Sequence, residues 1–216
     1  GYETATGTSF SAPLVAGVAA LIFSVHPTWT PDQVAKQLRV TCDGFVNPPQ
    51  AKRYGRVNAL AAVTKNNSMA DIPGVLLRRF TATTPSGTMF TAPGQTAQVV
   101  FELENVLAPT SANCTATIEF DDTTLSAAQW SVNIGVLPTF GTKTLSFTIK
   151  LTDKPTGSEE YLPVRLKVTD GPYTDYVMGR VILFLDNAWH TALGLGLPAF
   201  TSIDVLNAQS VWATVD

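Results

Sequence analysis

The sequence is short of charge, of cysteine and of histidine. Only 14% of its 216 residues are charged, the formal net charge is −3, and no Lys/Arg cluster exceeds a pair (Lys52-Arg53, Arg78-Arg79). A nucleic-acid groove needs many clustered cations to displace counterions, so no nucleic-acid partner is expected. Two cysteines, Cys42 and Cys114, are too few for a disulfide framework. They fall in segments assigned below to different modules, and both are expected as small buried thiols. The two histidines, His26 and His190, have no partner at metal-ligand spacing. No membrane span is expected, because no run approaches about 18 consecutive apolar residues. The longest candidate, Ala12 to Val25, is broken by Pro13, Gly17 and Ser24. The first residues hold no basic n-region, so an export signal is expected to have been cut away or to lie outside this stretch.

What is present is ample core material. Hydrophobic residues make up 45% of the chain, which argues against disorder and allows one large or two ordinary domains. Low charge with abundant Thr, Ser, Ala and Val is the balance of an exported bacterial protein, and a secreted or cell-surface location is expected.

Helical patterning comes first. From Ser11 to Ser24 apolar residues fall on every side, as in a helix buried within a larger domain. Pro13 is accommodated if it lies in the first turn. Thr30-Pro31-Asp32-Gln33 has the form of a capping box, and Val34, Ala35 and Leu38 give the apolar stripe of a helix ending near Val40. A third short helix is expected over Asn58–Val63. The polar, Pro- and Gly-punctuated stretch 65–74 then reads as a linker.

Beyond it the period changes to two. Val99, Phe101 and Leu103, then Leu145 to Leu151, then Leu162 to Val168 alternate with polar residues, as half-buried strands do. Weaker strands fit Val75–Thr81, Ala116–Phe120, Trp130–Ile134 and Tyr176–Leu185. About seven short strands between turn clusters predict an antiparallel β-sandwich over 75–187. The tail, 188–216, has the pattern of a hairpin (Ile203–Val205 with Val211–Val215) or of the start of a further β module. Tyr161, Tyr173, Tyr176 and Trp189 are candidates for an exposed aromatic strip, with scattered core or rim positions the plainer expectation. Glu119, Asp121 and Asp122 bunch near a turn, where a solvated cluster is favoured over a Ca²⁺ site.

The opening stretch, "TGTSFSAPLVAGVAAL", carries the chemistry. Gly7, Thr8, Ser9, Pro13, Val15, Ala16 and Gly17 resemble the nucleophile segment of the subtilisin-like serine peptidases, with Phe10 and Ser11 replacing that family's usual residues. "HPTWTPDQV" resembles the family's turn into the next helix. "YGRVNALAAV" resembles its closing segment at Gly55, Val57, Asn58 and Ala59. A lone G-T-S would be nearly worthless, but three ordered motifs at natural spacing are specific. The resemblance covers residues 1–64, the expected C-terminal fragment of the catalytic domain. It implies a fold that is α+β overall: the C-terminal helical portion of a subtilisin-like α/β domain followed by an all-β antiparallel sandwich. The second module resembles the Ig-like or fibronectin-like modules appended to such peptidases, through "APGQTAQVVFELEN" and "APTSANCTATIEF".

The resemblance implies that Ser9 is the nucleophile of acyl-enzyme chemistry on peptide bonds, that its own N–H is one oxyanion donor, and that Gly7, Thr8 and the Glu3–Thr6 strand line the substrate cleft. The plainer alternative makes Thr8 or Ser9 a helix cap. The family's acid and base precede its serine, and only eight residues precede Ser9. His26 lies 17 residues downstream and reads better as a helix exit, where an imidazolium meets the dipole's negative end. The chain is therefore expected to be inactive alone and to need the missing N-terminal part of its own catalytic domain as partner, with protein or peptide substrates. No cofactor is evident, and a structural Ca²⁺ elsewhere in the parent is compatible with this sequence. A rival of another class makes the chain an extracellular scaffold module with a decayed peptidase remnant.

Overall fold

The computed structural model describes residues 7–44, 55–67, 71–85, 87, 89–90, 92–121, 123–153 and 161–183. The expected tail hairpin, the Glu3–Thr6 strand and His190 lie outside them.

Three helices lead. Helix α1 (Thr8–Val25) starts three residues before the expected Ser11. Its N-cap is Gly7, at φ 153° and ψ 155°, a region essentially reserved for glycine. The expectation that Pro13 sits in the first turn is therefore corrected. It is the sixth helical residue, and its missing N–H leaves the Ser9 carbonyl without its partner four residues on. Helix α2 (Pro31–Val40) has the capping box in full. The Gln33 N–H donates to Thr30 Oγ1 (3.3 Å), and the Thr30 N–H donates to Gln33 Oε1 (2.9 Å). Helix α3 (Ala59–Thr64) is capped by Asn58, whose Oδ1 accepts from the Ala61 N–H (2.9 Å).

The helices share a small core of Ile22, Val34 and Ala62, with Val18, Ala19, Trp29, Leu38 and Val63 packed against it. This covers only one side of α1. Phe10, Leu14, Gly17 and Leu21, spaced i, i+4, i+7 and i+11, form a bare stripe on the other. Leu14 is 72% exposed, and a Cβ on Gly17 would meet nothing within 4 Å.

Among the described residues nine strands follow, in two sheets. One has the order β1 (Val75–Thr83), β3 (Thr96–Asn105), β7 (Thr142–Leu151), β5 (Leu125–Ala127). The other runs β2 (Met89–Phe90), β9 (Tyr173–Leu183), β8 (Tyr161–Asp170), β4 (Thr115–Phe120), β6 (Ser131–Asn133). Every pairing is antiparallel except β2 with β9, which is parallel. The alternating residues of β3, β7 and β8 fill one core between the sheets, including Phe101, Phe147, Ile149, Leu166 and Val168. Phe101 meets Phe80 and Phe147 edge-on at 5.0 and 6.1 Å, the arrangement aromatic quadrupoles favour. Strand β9 begins at Tyr173, earlier than the expected Tyr176, because Gly171 (φ 57°) and Pro172 alone make the turn.

The aromatic-strip option fails at its centre. Tyr173 is buried and Tyr176 half-buried, and the side chains of Tyr161 and Trp189 lie outside the described residues. Glu119 and Asp121 face cations instead of gathering a metal: Asp121 pairs with Arg165, and Glu119 stands 3.9 Å from Lys167. Asp122 lies outside the description, and among the described residues no group of three ligating side chains forms. Cys42 and Cys114 are free thiols, and burial pushes the Cys114 thiol up to about 11.

Candidate active site

The sequence places a serine directly after a glycine and a threonine, and the structure turns that order into an exposed hydroxyl. Gly7 takes a backbone conformation that other residues avoid. Thr8 and Ser9 are the first two residues of α1, and Ser9 is exposed. Neither is the cap: that position is Gly7, which has no side chain to satisfy the first-turn N–H groups. The positive end of an 18-residue helix therefore opens where the Ser9 hydroxyl stands. Such an end stabilises an oxyanion on an attacked carbonyl. The Thr8 side chain lies outside the description.

Pro13 adds a feature that its place in the motif did not disclose. With no N–H to offer the Ser9 carbonyl, it loosens the helix ladder at the residue that carries the hydroxyl.

No base accompanies Ser9 within the described residues. Helix α1 runs unbroken to Val25, so His26 stands about 25 Å away at 1.5 Å per residue. Its backbone N–H donates to the Ile22 carbonyl (2.8 Å). Its ring stacks on Trp29, with centroids 3.7 Å apart and planes 6° from parallel. His26 is the helix exit as expected, at the C-cap of α1, but the expected imidazolium is corrected here. Burial lowers the His26 pKa, which favours the neutral ring, and Nε2 is buried without a hydrogen-bond partner.

The third motif closes a bracket beneath the helices. Asp43 and Arg56 exchange both backbone hydrogen bonds (2.8 and 3.0 Å). The Asp43 carboxylate also accepts from Asn58 Nδ2 (2.8 Å) and from Arg56 (3.1 Å). These hydrogen bonds, Asn58 first, hold its pKa below the usual carboxylate value. Gly55 stands at φ 94°, and a Cβ there would come within 1.9 Å of the Asp43 carbonyl oxygen. Only glycine fits. The G-x-V-N-A spacing thus has a mechanical cause: a glycine for the close approach, then an asparagine that caps α3 and grips Asp43.

Residues 1–71 match the subtilase family. Over 109 residues the chain is 35% identical to a probable subtilase-type serine protease of Deinococcus radiodurans, an alignment covering 47% of this chain and 15% of that protein. It is 36% identical over 70 residues to Nep, a halolysin-like extracellular serine protease of Natrialba magadii, covering 32% of this chain and 13% of that one. Over 40 residues it is 55% identical to the subtilisin of Bacillus pumilus, covering 18% of this chain and 14% of that one. The chain thus spans under a sixth of the length of each of these relatives. The subtilase match takes in all three helices and ends before β1. Among the described residues no helix is long and apolar enough to cross a membrane.

Proposed function

We propose that this chain is part of a secreted subtilisin-like serine endopeptidase that cleaves peptide bonds through an acyl-enzyme on Ser9. The observation that carries this reading is the exposed Ser9 in the first turn of α1, next to Gly7 in its glycine-only conformation, inside the subtilase-matched segment. In this reading Ser9 Oγ attacks the scissile carbonyl, and the Ser9 N–H with the helix dipole stabilises the tetrahedral oxyanion. Gly7 and Thr8 border the substrate.

The general base and its orienting acid come from a preceding part of the same catalytic domain, and the chain alone is inactive. An unactivated serine hydroxyl is a poor nucleophile at neutral pH. The bare stripe of Phe10, Leu14, Gly17 and Leu21 supports that partner: contiguous exposed apolar surface on a helix marks a missing contact. Protein or peptide substrates follow from the reaction class. The named extracellular relative supports secretion.

Fluorophosphonate labelling of the longer protein containing this chain tests the reading. Label is expected on Ser9, lost in Ser9→Ala, and absent when residues 1–216 are tested alone. A folded longer protein that takes no label would favour a scaffold with a decayed remnant.

A further inference from the structure

Helix α2 belongs to two bodies at once. Its Val34 and Leu38 face α1 and α3. A second stripe, Asp32, Lys36 and Val40 at i, i+4 and i+8, faces the sandwich. Asp32 accepts from Arg78 of β1 (2.6 Å), an arginine that also donates to Glu104 of β3 (2.5 Å). Val40 packs on the sandwich core. Between them Lys36, 1% exposed, pairs with Asp175 of β9, itself 3% exposed. The pair is hydrogen-bonded further rather than left bare: Tyr173 Oη donates to Asp175 Oδ2 (3.3 Å) and accepts the Val75 N–H (3.1 Å), and the Tyr176 N–H donates to Asp175 Oδ1 (2.7 Å).

The described residues of the segment between the helices and the sandwich are held by the same helix. Gln37 Nε2 donates to the carbonyls of Ala62 (3.0 Å) and Lys65 (2.8 Å), and Gln37 Oε1 accepts from Asn66 (2.9 Å). Asn66 Oδ1 in turn accepts the Ile72 N–H (2.7 Å). Gly74 runs against the Lys36 stem, where a Cβ would come within 2.7 Å of both Lys36 Cγ and Leu107 Cδ1.

We propose that the stripe of Asp32, Lys36 and Val40 is a dedicated docking surface whose partner is this chain's own sandwich, so that the sandwich clamps α2, and through it the α1–α3 core, in place. The sandwich is thereby an integral part of the serine-bearing segment and not a module on a flexible tether. The ion pair makes the contact specific. Two charges withdrawn from water are tolerated together, and either one alone is strongly unfavourable there.

Hydrogen exchange on the intact chain, comparing Lys36→Met, Asp175→Asn and the double variant, tests the clamp. Either single change is expected to speed exchange in peptides spanning residues 31–40 by about tenfold or more, with Asp175→Asn the worse because it strands a buried cation. Strands β3 and β7 should keep their protection. The double variant leaves no orphan charge and should restore protection in α2. Unchanged α2 exchange in both single variants would overturn the proposal, as would an α2 already unprotected in the native chain. So would losses that spread equally to β3 and β7 in all three variants. If a single variant fails to fold, the double variant decides: recovery of α2 and β3 together supports the clamp, and failure to recover overturns it.

Discussion

Phe80 of β1 and Gly179 of β9 touch across the two sheets, so closely that a Cβ on the glycine would lie 2.2 Å from the Phe80 ring. Phe80, half-buried, also meets Phe101 edge-on, so the ring can retreat only by giving up that contact. Gly179→Ala should overpack the core and destabilise the protein by about 1–3 kcal/mol. Phe80→Leu should rescue part of that loss, giving a non-additive pair in thermal unfolding. Additive effects would mean that the ring moves aside freely.

At the site, Gly7→Ala separates backbone strain from side-chain crowding. Among the described residues the added Cβ meets only the Phe10 ring, at an ordinary 3.7 Å. The expected penalty is therefore conformational, about 1–3 kcal/mol at φ 153°. In the longer protein proposed above, the midpoint of unfolding should fall in step with that penalty, and the fluorophosphonate labelling rate of Ser9 should fall by more than about tenfold as the hydroxyl loses its fixed position.

His26 supplies a pH test. Its folded pKa lies below 6.5 because burial disfavours the imidazolium. Between that lowered value and 6.5 the unfolded chain binds more protons than the folded one, so stability falls as pH drops through this window and levels off below it. Unfolding followed at pH 7.5 and 5.5 should show the loss, and His26→Phe, which keeps the stack on Trp29, should remove the dependence.

The sequence made much of this legible, and the successes share a cause. Strands β3, β7 and β8 have strict two-residue alternation and long registers, so their buried faces could be named residue by residue. The α2 start was equally plain, because a capping box is a local device. Strands β2 and β5, of two and three residues, are too short for any period to register. The start of α1 was misjudged because a glycine cap leaves no hydroxyl or carboxylate signature. Asp32 and Lys36 look on paper like an ordinary solvent-facing i, i+4 pair. Nothing in the residues told that each reaches across to a different strand of the sandwich. Ser9 is singled out by its neighbours at fixed spacing, not by any property of its own.

The bare stripe of α1 makes a further prediction. In the 216-residue chain studied alone, amides of α1 should exchange much faster than those of α2, and Leu14→Glu should reduce self-association without altering the sandwich. In the longer protein proposed above, the same substitution should impair folding of the part that packs on α1. Concentration-dependent sedimentation checks the first effect and soluble yield the second.

The tight passage of Gly74 beneath Lys36 bears on where this chain can be recombined. A crossover anywhere in residues 65–74 that brought in a foreign β module would lose Asp175 and Tyr173 together and leave a cation stranded against greasy surroundings. In this chain, therefore, α2 and its sandwich are best kept together in any chimera, with the loop before α2 a better place to join than residues 65–74.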